Sequence, residues 1–234
     1  MKQSDLIMSQ YPKRERKSLM SFSRFEAFSD GVFAIAITLL ALEIRIEDIT
    51  NATSEQVWNA LLNLFPHIIT YGTSFIVIGV IWLNHHALFH FLKLVDRVSL
   101  TINLFLLMCI AFIPCSTAVL GTYRQYPLIV AFYGFSLAIT GFIYNLLWFY
   151  VLNRYIKSKN SIQRHIIRLA SIWSIGYPIA YLLTALLALI NSSLSLVLYG
   201  LISLFYLLPG VIDRQLTNFE SQQGGESSQK IYES

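Results

Sequence analysis

The chain has 234 residues, of which 55% are hydrophobic and 13% charged, about half the charged share of an ordinary soluble domain. That balance excludes a water-soluble globular fold. The formal net charge of +4 does not mark a nucleic-acid partner, because the basic residues alternate with the apolar segments as topology signals do.

Taken in chain order, the apolar segments predict an all-α membrane protein with helices at approximately 23–46, 60–84, 98–121, 127–152, 168–190 and 194–212. A basic tail (residues 1–22) precedes this six-helix domain (23–213), and a tail rich in Ser, Gln, Gly and Glu (214–234) follows it, the latter with a disordered composition. The basic cluster from Lys13 to Lys17 suits either anionic lipid headgroups or a solvated tail. The first twenty residues hold no cleavable apolar core, so no signal peptide is expected.

The first helix reads R-F-E-A-F-S-D-G-V-F-A-I-A-I-T-L-L-A-L from Arg24 to Leu42. Between Asp30 and Glu43 lie twelve uncharged residues, about 18 Å of helix, where crossing the hydrocarbon takes roughly 20 residues. Ser29 and Asp30, or Glu43, must therefore sit at membrane depth, facing a bundle interior or a water-filled path. The alternative is a short helix that thins the bilayer. Ile35, Leu39 and Leu42 are spaced i, i+4, i+7 and fall on one stripe, bordered by Thr38. Such a stripe serves either packing or a pathway. Beyond it, Glu43, Glu47, Asp48 and Glu55 oppose Arg45, forming either a cation-attracting mouth or a solvated loop. Asn51-Ala52-Thr53 matches a glycosylation sequon by three residues only.

The second segment reaches Val57–Asn63 early enough to suggest an interfacial turn before the span, and it ends in Trp82-Leu83-Asn84-His85-His86-Ala87-Leu88-Phe89-His90. His86 and His90 stand four apart, but no Glu, Cys or carboxylate run completes a metal set, so no metal is expected. A structural role is better motivated. Antiparallel neighbours would bring Asp30 and Ser29 to the depth of Trp82, Asn84, His85 and His86, where these polar groups satisfy one another, with Arg24 a further candidate. Cys109 and Cys115 are six residues apart on the third helix, about 9 Å along its axis and too far for a disulfide. The last long apolar window, Leu169 to Ile212, divides into two spans at Asn191-Ser192-Ser193. Of the seventeen basic residues, all but Arg45 and Arg124 fall on one side of this topology, which places both termini in the cytoplasm.

Arg24-x-x-x-Phe28-Ser29-Asp30 leading into an Ile/Thr/Leu-rich helix, with Trp82-x-x-His85-His86 on the second, resembles the signature of the transmembrane protein 175 family. These are the lysosomal potassium channels of animals and their bacterial relatives. The resemblance implies a K⁺-permeable channel of the bacterial plasma membrane, without a cofactor and without the T-V-G-Y-G filter loop, a sequence absent here. It implies a homotetramer in lipid with four first helices around the pore. Ile35, five residues after the motif aspartate, would be the narrowest constriction, with Leu39 and Leu42 outward of it and Thr38 contributing selectivity. Phe28 joins Arg24, Ser29, Asp30, Trp82, Asn84, His85 and His86 as the structural set, and Glu43, Glu47 and Asp48 attract cations outside. Two other classes compete. A proton-coupled secondary transporter would use Asp30 and the second-helix histidines, but paired repeats or matching broken helices are not evident. An intramembrane enzyme would need a nucleophile–base or metal constellation, and none is present in the sequence.

Overall fold

The computed structural model describes residues 13–44, 53–90, 96–155 and 161–207. Expectations for Arg45, Glu47, Asp48, the sequon asparagine and the carboxyl-terminal tail lie outside them. The described residues form six helices: α1 Lys13–Leu42, α2 Ser54–His90, α3 Arg97–Tyr123, α4 Pro127–Tyr155, α5 Ser161–Ala188 and α6 Ser192–Leu207. Portions of α1 to α5 are long and apolar enough to cross a membrane, and α6 is a shorter apolar helix.

Each predicted segment coincides with one helix, but three starts differ, one of them that of α5, which begins at Ser161, seven residues before the expected 168. α1 begins ten residues before the expected boundary at 23. α2 begins at Ser54, and Val57–Asn63 is helix where an interfacial turn was expected. The cause is a reciprocal cap. Thr53 N donates to Gln56 Oε1 (2.9 Å) and Gln56 N donates to Thr53 Oγ1 (3.3 Å), satisfying two amides that the first turn would otherwise leave open. α2 then continues through Pro66 to a length of 37 residues, about 55 Å. The starts of α3 and α6 are capped as well. Asp96 Oδ1 accepts from Ser99 N (2.9 Å) and Ser99 Oγ (2.7 Å) at α3, while Asn191 Oδ1 accepts from Leu194 N (3.0 Å) at α6. The polar turn Asn191-Ser192-Ser193 thus divides the last window by capping a new helix.

α3 and α4 form the centre of the bundle, each with half of its membrane window buried, whereas only 22% of the α1 window is. α1 rests against α2 and α3. α6 closes the far side against α5, α2 and α4. Three large tyrosines, Tyr133, Tyr181 and Tyr199, are fully buried, and their hydroxyls are spent within the bundle. Tyr199 donates to the carbonyl of Val130 (3.1 Å), Tyr181 shares a hydrogen bond with Ser203 (2.7 Å), and Tyr133 shares one with Ser74 (2.9 Å). Ser74 also bonds Thr117 (2.8 Å), so α2, α3 and α4 meet at one hydroxyl cluster. Gly134 makes this packing possible, because a Cβ there would run into the Tyr199 hydroxyl and the Ala185 methyl.

Gly134→Ala is expected to destabilise the bundle by about 1–3 kcal/mol through overpacking. Gly79→Ala, whose new methyl meets nothing within 4 Å, is expected to change stability by no more than about 0.5 kcal/mol. Thermal unfolding of the two variants side by side in detergent checks the contrast.

Candidate functional site

α1 has two faces of opposite character. Toward the bundle, Ser29, Phe33, Ala36 and Leu40 recur at i, i+4, i+7, i+11 and are at most 1% exposed. Away from it, Phe28 (55%), Ile35 (60%), Leu39 (40%) and Leu42 (62%) form a second, largely exposed stripe. Thr38 is exposed beside that stripe, and Gly31, on the same side, has open space around its Cα. The Thr38 hydroxyl donates to the carbonyl of Ile35 (2.9 Å). Its hydrogen is used inside the helix, and its oxygen lone pairs remain outward as acceptors.

The buried face is held by polar contacts near the start of the membrane window. Ser29 Oγ donates to Phe25 O (3.1 Å) and accepts from Asn103 Nδ2 (3.1 Å). Asn103 Oδ1 lies 2.7 Å from His85 Nε2. Because the Asn103 amide spends its N–H on Ser29, its carbonyl oxygen faces His85, and the imidazole carries its proton on Nε2. Ser29, His85 and Asn103 are all buried, so the three-helix link is sealed from solvent. Phe33 and Phe89 pack on the His85 ring at centroid distances of 5.3 and 4.5 Å. Beside the link, Trp82 Nε1 donates to Asp30 Oδ1 (3.0 Å). At the rim, His86 stacks on Trp82 (5.7 Å, 26°) and its Nδ1 lies 3.9 Å from Glu26 Oε1.

Of the residues grouped from sequence, the structure brings together Ser29, Asp30, Trp82, His85 and His86. Arg24, Phe28 and Asn84 lie apart from them. Arg24 and Phe28 are four residues apart on the exposed side of α1, and Asn84 bends back to the Val80 carbonyl of its own helix (2.8 Å). Helical phase is the reason: sequence neighbours on a helix point about 100° apart. Asn103 was missed. The available signal was a lone amide within the apolar run Ile102–Ile113, a residue that needs a partner helix in lipid.

At the other end of α1, Glu43 is half-buried in a small crevice with His67, Thr70, Tyr71, Thr117 and Gly121. Gly121 admits the His67 ring, since a Cβ there would stand 2.8 Å from its Nδ1. Cys109 and Cys115 are both free.

Residues 24–114 match the model of the family described as endosomal/lysosomal potassium channel TMEM175. The chain is 35% identical over 191 residues to a potassium channel of Streptomyces collinus, an alignment covering 78% of this chain and 90% of that protein. It is 40% identical over 129 residues to a potassium channel of Chamaesiphon minutus, covering 53% and 63% respectively. Its fold matches the crystal structure of a lysosomal potassium-selective channel TMEM175 homolog from Chamaesiphon minutus with a TM-score of 0.72 at 31% identity, covering 81% of this chain and 97% of that one.

Asn103→Leu removes the middle of the Ser29–Asn103–His85 link and leaves a buried imidazole without its acceptor. The expected loss is about 1–2 kcal/mol. Asp30→Asn keeps an oxygen for the Trp82 indole, so it is expected to lose less than Asp30→Leu. Melting temperature and monodisperse yield after gel filtration check both.

Proposed function

Since the chain belongs to the TMEM175 channel family, it is a multi-pass membrane protein and a cation channel rather than an enzyme, and we propose that it conducts K⁺ through a pore lined by α1 from four identical subunits. The observation that carries this reading is the exposed α1 stripe of Phe28, Ile35, Leu39 and Leu42, on a different side of the helix from the face held by a sealed polar link. One chain offers a single copy of that stripe, which cannot enclose a conduit. Fourfold cyclic symmetry repeats it around an axis and covers it at the same time. The potassium-channel names of the bacterial relatives support the choice of ion.

In this reading Ile35 forms the narrowest ring. A sec-butyl group offers no oxygen to replace an ion's water, so passage costs partial dehydration. K⁺ holds water less tightly than Na⁺ and crosses with the smaller penalty. One turn outward, the Thr38 oxygen points away from the bundle with its lone pairs free and offsets part of the lost hydration. Leu39 and Leu42 continue the apolar lining, which gates by dewetting. Glu43, together with Glu47 and Asp48 further along the sequence, concentrates cations at the outer mouth. Asp30, Ser29, Trp82 and His85 act as scaffold, fixing the rotation of α1. The charge pattern supports a bacterial plasma-membrane protein with both termini in the cytoplasm.

The proton-coupled transporter reading gains no support from the fold. The Asn103–His85 link and the Ser74–Thr117–Tyr133 cluster are separated by Val77, Ile78 and Ile81 of α2 and by Leu106, Leu107, Ile110 and Ile113 of α3, all buried. That layer offers a proton no relay between the two polar levels among the described residues.

Ile35→Asn is expected to wet the ring and raise Na⁺ conductance at least tenfold, a barrier change of about 1.4 kcal/mol. Thr38→Ala is expected to lower K⁺ preference with little change in pore width. Reversal potentials under K⁺/Na⁺ gradients in planar bilayers measure both, and unchanged potentials in both variants contradict an α1-lined pore. Native mass measurement is expected to give four copies of the chain. A stable monomer that still conducts refutes the assembly.

A further inference from the structure

We propose that the crevice beside Glu43, between α1, α2 and α3, binds one K⁺ ion in each subunit, away from the pore. The choice of K⁺ among cations draws on the function proposed above; the cation site itself does not depend on where the pore lies. Glu43 stands three residues after Leu40 and seven after Ala36, so it continues the buried row of α1 and not the exposed stripe of Ile35, Leu39 and Leu42. Helical phase thereby carries it into a crevice shared with His67, Thr70 and Tyr71 of α2 and Thr117 and Gly121 of α3. Glu43 is half-buried there, so ions reach it from the aqueous side. Among the described residues, no basic side chain forms an ion pair with it.

The two threonine hydroxyls of the crevice serve as acceptors. Thr70 donates its hydrogen to the carbonyl of Pro66 (3.0 Å), and Thr117 donates to the carbonyl of Ile113 (2.8 Å). With the Thr117 hydrogen spent, the hydrogen in its bond with Ser74 (2.8 Å) comes from Ser74, which in turn accepts from Tyr133 (2.9 Å). That order leaves Thr117 one lone pair and Thr70 two. A carboxylate and two hydroxyl oxygens without a hydrogen to offer suit a cation and repel an anion. The crevice has room for one water-sized particle. Ca²⁺ takes about six to eight oxygen ligands and Mg²⁺ keeps several waters of its own, demands that one carboxylate in so small a space does not meet. Glu43 and His67 are too few for Zn²⁺, and no larger set of metal-binding side chains occurs among the described residues. K⁺ has nearly the size of a water molecule, sets one charge against one carboxylate, and gives up its hydration at lower cost than Na⁺. An ion held there ties α1 to α2 and α3 at the end opposite the Ser29–Asn103–His85 link.

The probe is Rb⁺, a K⁺ substitute located by anomalous scattering in crystals of the full chain grown at about pH 8, where an imidazole is neutral. One peak per subunit is expected among Glu43, Thr70 and Thr117. Glu43→Gln is expected to lose that peak, and Thr70→Val to reduce it by about half or more. In detergent, KCl in place of choline chloride at equal ionic strength is expected to raise the wild-type melting temperature by about 2–4 °C, and Glu43→Gln to show less than half of that shift. A wild-type crevice without a peak, holding water only, overturns the proposal, as does a peak of full height in both variants. Should Glu43→Gln fail to assemble, Thr70→Val decides alone, and an undiminished peak overturns the site. Rb⁺ peaks on the fourfold axis beside an empty crevice sink this proposal and leave the channel reading intact. A filled crevice in a protein that passes no K⁺ current sinks the channel reading and leaves the cation site.

Discussion

A polar group buried in lipid has to find its partner inside the protein, and that constraint organises the α1 end of this bundle. Ser29, Asn103 and His85 come from three different helices, and each leaves a donor or acceptor stranded if the others are displaced. Apolar side chains alone would let α1 rotate or slide against α2 and α3 at little cost, because lipid is as good a neighbour for Leu as another Leu is. The hydrogen-bonded link removes that freedom. It fixes the phase of the helix, and the phase decides which residues are left facing outward.

The division of labour along α1 follows from there. Polar residues close to the start of the span hold position, and the apolar stripe on another face of the helix stays largely exposed. The rest of the bundle acts as a rigid wall behind it. Its stiffness comes from the Ser74–Thr117–Tyr133 cluster and from the Tyr199 hydroxyl seated over Gly134. Both join helices to one another without a residue of α1, which itself rests against two of them, α2 and α3.

The helices were legible because lipid demands long apolar runs, and the division at Asn191 was legible because a polar turn stands out within one. The start of α2 was not, since Thr53 and Gln56 lie among loop-like residues and their mutual capping is a pairing, not a composition. The polar anchor was half legible. A carboxylate at Asp30 announces a partner, and Trp82 is that partner, but the motif's adjacency hid the fact that Phe28 and Ser29 point about 100° apart, one exposed and one buried. Asn103 went unseen because one amide among eleven apolar neighbours barely changes a hydropathy profile, although its energetic weight in lipid is large. The hydroxyl cluster around Ser74 was invisible for a related reason: Ser, Thr and Tyr are common in membrane helices, and only the fold reveals which of them meet.

The hydrogen bond from Thr38 to the Ile35 carbonyl has a consequence for the sign of the charge the stripe tolerates. A free hydroxyl is ambivalent and turns its hydrogen toward a chloride as readily as its oxygen toward a cation. Here the hydrogen is tied back to the helix, so a halide meets the negative end of the dipole and finds no donor on that side chain. The neighbouring Ile35, Leu39 and Leu42 offer no donor either. In the proposed pore, anions are therefore rejected at the lining itself, without a charged residue anywhere along the stripe.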